Sequence, residues 1–523
     1  MEKVTRVGID LVMSALSCTG LMPTARSRSS DGCALEVQTS VVALNQHALS
    51  SQPSGRGESA SGNSDLVPAD TSLHFLSSMW ASLRGAPDMP SRVEFVGGGA
   101  LPSVFAVADF AAAAVGAAGL AVSELLRAHD GRSDQVTVDR KLASLWYGWS
   151  IQPAGWAMPA PRDPIAGDYE AADGWIRLHT NAPHHRAAAL AVLSVPPERV
   201  AVAPSVAGWR ADALEDAVVL AGGCAAAMRS LQEWRSHPQG SAATAEPLVH
   251  IQRSSDQSAS SWRPNSSRPL QGLRVLDLTR VLAGPVATRF LAAFGADVLR
   301  VDPPEWDEPA VVPDVTIGKR CARLDLRTPS DHATLERLLR ETDVLVHGYR
   351  ADALEALGIG ADRRRELRPG LVDVSLNAYA WSGPWRNRRG FDSLVQMSAG
   401  IADEGMRRLA RPRPTPLPVQ ALDHATGYLM AAAAIRGLTE RLTASCDYAA
   451  RLSLARTAAL LVDGPRHDAI GEMVRADEAD WRDELEWTEF GPARRLRGPV
   501  TVGEVSMQWD RPAVHLGSSP ARW

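Results

Sequence analysis

Leu273-Arg274-Val275-Leu276-Asp277-Leu278, then Ala283-Gly284-Pro285, then Asp297-Val298-Leu299-Arg300-Val301-Asp302, alternates apolar runs with turn residues. The first run is short and apolar, the length of a buried strand. Ala283-Gly284-Pro285 is turn chemistry, with Pro at a first helical position. Val286 to Phe294 reads as a helix closed by Gly295, and Asp297 to Asp302 as a second strand. Strand, helix and strand make a βαβ unit of a parallel sheet, a fold that takes nucleotide-like ligands at the carboxyl ends of its strands. A nicotinamide dehydrogenase is excluded. Its fingerprint needs three spaced glycines for backbone to approach a pyrophosphate, and this turn has only Gly284. Asp302 stands where a ribose-binding acid would, but acids end many strands.

Further landmarks follow in fixed order. They are Gly272-Leu273-Arg274-Val275-Leu276-Asp277, Ala283-Gly284-Pro285, Gly295-Ala296-Asp297-Val298 and Gly318-Lys319-Arg320-Cys321 through Leu324-Asp325-Leu326-Arg327. Asp343-Val344-Leu345-Val346, Ser382-Gly383-Pro384, Gly390-Phe391-Asp392 and Asp423-His424-Ala425-Thr426-Gly427 complete the series. In this order they resemble the class III CoA-transferases (CaiB/BaiF type), the family of formyl-CoA transferase, carnitine CoA-transferase and α-methylacyl-CoA racemase. The resemblance is continuous from Leu270 to Leu438 and rests on the set, since no single motif is specific. It implies an α/β protein with a Rossmann-like parallel-sheet large domain and a smaller α+β domain.

At 523 residues the chain is long enough for two or three domains. A net charge of −5 gives no basic field to favour nucleic acid. Hydrophobic residues at 45% against 22% charged are the balance of a soluble globular protein. Cys18, Cys33, Cys224, Cys321 and Cys446 are scattered without CxxC spacing, which points to a reducing, cytoplasmic setting and to neither a disulfide framework nor a zinc site. Leu11 to Leu21 faintly resembles a signal peptide, weakened by Asp10 and its Ser and Thr content. Val104 to Val122 is long enough to span a bilayer, but Asp109 would cost about 3 kcal/mol near its centre, so a buried helix and no membrane partner are expected.

Residues 1–72, rich in Ser, are expected to be a disordered extension. Residues 73–252 form an N-terminal module and 253–268 a Ser/Asn/Pro-rich linker. The Rossmann-like domain spans 269–464, and 465–523 is a C-terminal segment packing on the module. The module carries an Ala-rich helix entered through Asp109 and followed by a segment containing Arg140. Asp423, its Ala-rich helix and Arg456 repeat that pattern, so a partial internal repeat is expected. Asp173-Gly174-Trp175-Ile176-Arg177-Leu178-His179 is a turn into an alternating strand, and it resembles the family's small domain, which normally follows the aspartate helix. The domain order is therefore rotated.

A carboxylate attacking an acyl-CoA thioester makes a mixed anhydride that preserves acyl activation while CoA is exchanged. Asp423 opens a helix, whose amides and dipole are expected to keep it ionised. By spacing alone it is a helix cap; the resemblance places it at the family's catalytic aspartate. Asp109 reads as a structural cap. By the same resemblance Val281 and Ala283 approach the cofactor, and Leu324, Leu326 and Arg327 fall at adenine and the 3′-phosphate. Lys319, Arg320, Arg350 and Arg389 are anion partners, although any one arginine taken singly reads as a surface charge. Pro303, Gly348 and Ala356 replace residues common in the family at CoA contacts. Phe391, which cannot move protons, stands where the racemase branch has histidine, which disfavours racemisation.

His184-His185 and His424 do not complete a metal site. Neither metal nor NAD is expected. The implied substrates are an acyl-CoA and a carboxylic acid, CoA passing between acids through an aspartyl anhydride and an aspartyl-CoA thioester, and a homodimer is expected. The competing reading is a degenerate family member that binds acyl-CoA or a partner without catalysis.

Overall fold

The computed structural model describes residues 68–254, 261–466 and 471–523. Residues 1–67 of the expected extension, including the signal-like run, lie outside the described residues, as do 255–260 of the expected linker. The extension does not reach residue 72: helix α1 (Pro68–Ser82) already buries Thr71 and Ser72, and the Ser72 hydroxyl donates to Asp109 at 2.7 Å.

Strand β1 (Val93–Val96) leads into helix α2 (Val107–Asp130), strand β2 (Val136–Asp139) and helix α3 (Arg140–Trp146). Among the described residues α2 alone is long and apolar enough to cross a membrane, and its apolar window is wholly buried inside the protein. A small unit follows, an antiparallel sheet of β3 (Gly167–Ala171), β4 (Gly174–Leu178) and β5 (Ala225–Ala227). Helix α4 (Pro183–Leu193) packs on it. Ile176, Leu178, Leu193, Val206 and Leu214 give this unit a core separate from the main one.

The large domain contains β6 (His250–Ser254), β7 (Arg274–Leu278), helix α5 (Ala283–Ala293), β8 (Asp297–Asp302), β9 (Lys319–Arg323), β10 (Val344–His347) and β11 (Val372–Asn377). Helix α6 (Asp392–Ser398), helix α7 (Ala421–Ala444), β12 (Asp447–Ser453) and helix α8 (Leu454–Asp463) complete it. Helix α5 begins earlier than the sequence predicts, and Gly295 follows it at φ +106. The seven strands lie in the order β9-β8-β7-β10-β11-β12-β6. All neighbours are parallel except β12 and β6, which pair antiparallel. Residues 250–254 thus belong to this sheet and not to a module and linker, because β12 would otherwise leave an unpaired edge. From β7 to β12 the spatial order is that of a doubly wound nucleotide-binding sheet, which opens a crevice where the order reverses, between β7 and β10.

The repeat is visible in the backbone. Helices α2 and α7 are each 24 residues long and are entered through Ala106 at φ −75, ψ 60 and Gln420 at φ −75, ψ 64. Both stop at a left-handed residue, Gly131 and Ser445. Strand β2 lies between parallel β1 and the antiparallel strand β13 (Val500–Val502), just as β12 lies between parallel β11 and antiparallel β6. The two helices pack on each other within one alanine-rich core. In the C-terminal segment, Glu486–Thr488 and Gly491–Arg495 form a sheet with Ile151–Pro153, and Trp523 donates to the Leu338 carbonyl of the large domain.

Candidate active site

The carboxyl ends of β7, β8, β10 and β11, together with α4 of the small unit, surround a cleft of about 670 Å³. Asp423 reaches it from the first turn of α7. That position depends on Gly427, one turn on, where a Cβ would stand 2.4 Å from the Ala283 carbonyl oxygen. Only glycine lets the start of α7 approach the start of α5 so closely.

The helix does not use Asp423 as its cap. Gln420, at the N-cap, makes no side-chain cap bond. The carboxylate of Asp392, which opens α6, accepts instead from the amides of Leu422 at 2.9 Å and Asp423 at 3.0 Å. Its other oxygen accepts from Gln396, whose own amide oxygen accepts from Leu417 at 2.7 Å. The Asp423 carboxylate has no hydrogen-bond partner among the described residues and faces the cleft. The expectation that helix amides keep it ionised is therefore corrected. Burial and then the neighbouring Asp392 charge push Asp423 well above the usual carboxylate range. Burial likewise raises Asp392, against the pull of its backbone donors.

Asp109, the repeat counterpart, is different. It lies in the first turn of α2, buried, ion-paired with Arg140 at 2.6 Å. The matching Arg456 turns elsewhere, its Nε donating to the Glu246 carbonyl at 2.8 Å. One aspartate is thus neutralised by its arginine, while the other is left uncompensated in a cleft.

Of the residues singled out for CoA, Val281, Ala283, Arg350 and Arg389 line the cleft, as do Pro303 and Gly348. Val281 has φ +65, a strained conformation for a β-branched residue. It is held there by Glu308, which accepts its amide at 2.9 Å and the Trp306 indole at 3.0 Å while pairing with Arg300. Arg350 and Arg389 are exposed, with no side-chain partner among the described residues.

The other residues singled out for CoA do not line this cleft. The Lys319 ammonium is fully buried and donates to Asp277 at 3.0 Å, Thr288 at 2.6 Å and the Pro285 carbonyl at 3.0 Å, so it ties β9 to β7 and α5 and is not available to a phosphate. Arg320 pairs with Asp297 at 2.8 Å beside Trp523, away from the cleft. Leu324 is buried in the core with β8 and β10, and half-buried Leu326 packs against that core. Arg327 is exposed and pairs with Asp325 at 2.7 Å, touching the cleft only through Glu305 at 3.6 Å. Asp302 is consumed by Arg300 at 2.8 Å.

Sequence reasoning missed several lining residues. Arg280, next to the strained Val281, lies 5.0 Å from the Trp306 ring and 5.3 Å from the Tyr349 ring, a cation held between aromatics at the cleft wall. His184 and His185 also line the cleft. His424 does not: it stacks on Tyr147 at 4.9 Å, and burial lowers its pKa to about 3. Arg280 adjoins a residue already singled out. Asp392 stands in the Gly390-Phe391-Asp392 landmark and His185 in the His184-His185 pair. Nothing local in either motif signals a capping role for the one or a place at the cleft for the other.

The sheet order is that of a doubly wound α/β fold, with a cleft at its switch point and a buried, uncompensated carboxylate facing it. Residues 270–480 match the model of CoA-transferase family III. The acetyl-coenzyme A transferase nodX of Hypoxylon pulicicidum is 32% identical over 50% of this chain and 43% of its own length. The succinate–glutarate CoA-transferase of Agrobacterium fabrum is 35% identical over 26% of this chain and 39% of its own. The crystal structure of Rv3272 from Mycobacterium tuberculosis aligns at 30% identity with a TM-score of 0.34, covering 37% of this chain and 56% of that one. The chain spans about half or less of the length of the curated relatives it matches.

Proposed function

We propose that this protein is a CoA-transferase that moves CoA between carboxylic acids through Asp423. The observation that carries this reading is that Asp392 takes the capping amides of α7 and leaves the Asp423 carboxylate unpaired in the cleft. An aspartate that caps is structural; one relieved of capping and buried without a cation is costly unless it is used. Relatives named as CoA-transferases support the reaction class.

In the ionised form, an Asp423 oxygen attacks the thioester carbonyl. A C–O bond forms, the C–S bond breaks, and CoA leaves as thiolate, giving an aspartyl-acyl anhydride. The thiolate then attacks the aspartyl carbonyl, releasing the first acid as carboxylate and leaving aspartyl-CoA thioester. The acceptor carboxylate attacks that thioester, and the thiolate released attacks the new acyl carbonyl. The product acyl-CoA forms and the Asp423 carboxylate returns. Arg280, between Trp306 and Tyr349, and the unpaired Arg350 supply charge for the phosphates of CoA.

The test is intact-protein mass spectrometry after mixing with acyl-CoAs and hydroxylamine, which converts an aspartyl anhydride or thioester to a hydroxamate. The expected result is an adduct at Asp423, absent in Asp423→Ala. An adduct at Asp109 would overturn the assignment, and CoA binding without any adduct would establish a non-catalytic binder.

A further inference from the structure

Tyr147 lies outside residues 270–480, the segment that matches the family model, yet it touches the turn that carries Asp423. It follows directly on α3, stacks its ring on His424 at 4.9 Å and lies nearly parallel to Tyr428 at 6.1 Å. His424 adjoins Asp423, and Tyr428 is one turn further along the same face of α7. All three rings are buried. Tyr147 is itself held from both sides. Its neighbour Trp146 donates to the Arg497 carbonyl at 2.7 Å and lies 4.6 Å under the Arg289 guanidinium. Ser150 gives its amide to Asp314 at 2.9 Å, and Asp314 pairs with Arg289 at 2.7 Å. Neither the Tyr147 hydroxyl nor His424 Nδ1 has a hydrogen-bond partner among the described residues, so Tyr147 and His424 meet through their ring faces.

We propose that Tyr147 is a positioning residue for Asp423, its ring seating the first turn of α7 so that the carboxylate stays buried at the cleft wall. The inference rests on the reading of Asp423 as the acyl-accepting residue. Asp392 alone does not fix that turn. The amides of Leu422 and Asp423 converge on a single Asp392 oxygen, which leaves a pivot about which the turn can roll. A flat ring pressed on His424, away from that pivot, removes the remaining freedom, and such ring pairs contribute beyond the area they bury. Without the ring the turn rolls, water reaches the carboxylate, and the burial that raises Asp423 is partly relieved.

Hydroxamate formation at Asp423 is followed against acyl-CoA concentration and pH in two variants. Tyr147→Phe keeps the ring and removes an unpaired hydroxyl, while Tyr147→Leu removes the flat face. The expected result is native behaviour for Tyr147→Phe. Tyr147→Leu should lose at least about tenfold in rate at saturating acyl-CoA, with the half-saturating concentration unchanged and the pH midpoint lowered. A Tyr147→Leu variant with native rate and midpoint overturns the proposal. So does a rate loss without a shifted midpoint, which a smaller folded fraction would give, and so does a Tyr147→Phe variant that behaves like Tyr147→Leu, because the hydroxyl would then act. If Tyr147→Leu does not fold, His424→Leu is compared with His424→Phe, which keeps a ring in the pair, under the same criteria. If no donor yields an adduct, which refutes the transferase reading, the pH-dependent gap in melting temperature between the chain with Asp423 and its Asp423→Asn variant reads the same ionisation. A gap that narrows in the Tyr147→Leu background upholds the seating role; an unchanged gap overturns it.

Discussion

Replacing Asp392 by Asn tests whether one carboxylate both caps helix α7 and governs the ionisation of Asp423. In the native arrangement one Asp392 oxygen accepts two backbone amides and the other accepts the Gln396 amide. Gln396 cannot flip without losing its bond from Leu417. An asparagine can turn its oxygen toward the helix amides or toward Gln396, but not both. Either way a buried donor meets another donor, which costs about 1–3 kcal/mol. Urea unfolding at neutral pH should show a loss of that size. The negative charge that helps to raise Asp423 disappears at the same time, so the pH midpoint of hydroxamate formation at Asp423 should fall. The reasoning is refuted if the midpoint stays or rises, because Asp392 would then not act on Asp423 electrostatically. Unchanged stability would show that the capping bonds contribute nothing.

Three further outcomes follow from the same geometry. Because the folded-state pKa of Asp423 is raised, wild-type stability is intact below the unfolded carboxylate value of about 4 and declines as pH rises through the folded value. Asp423→Asn does not titrate, so its melting temperature should exceed the wild type's by a gap that is absent in acid and widens with pH; a constant gap would contradict the assigned shift. Glu308→Ala frees the Val281 amide and leaves Arg300 with Asp302 alone, so calorimetry should show CoA binding weakened roughly tenfold, with a stability loss of about 3 kcal/mol. Asp109→Ala should cost about 3–5 kcal/mol by leaving Arg140 buried without its carboxylate, while the adduct site stays at Asp423.

Features under local control are legible in the amino-acid order. The β7–α5–β8 unit follows from apolar runs, turn residues and a glycine stop, and its strands lie within a residue of their expected bounds. The repeat was legible because Asp109 and Asp423 each open an alanine-rich helix, and Val281 and Gly348 were marked only by the family resemblance. The surroundings of those residues depend on contacts between distant segments. Two aspartates at one position in a repeated motif differ because Arg140 folds back on one while Arg456 reaches the Glu246 carbonyl, more than 200 residues away. Lys319 looks like a phosphate ligand in sequence, yet Asp277 and Thr288 hold it in the core. Asp392 stands in a motif the sequence marks, but its capping of α7 arises only where α6 meets the start of α7. Periodicity and turn chemistry are properties of neighbours along the chain; burial, charge compensation and the shift of Asp423 depend on groups the chain brings together only when folded.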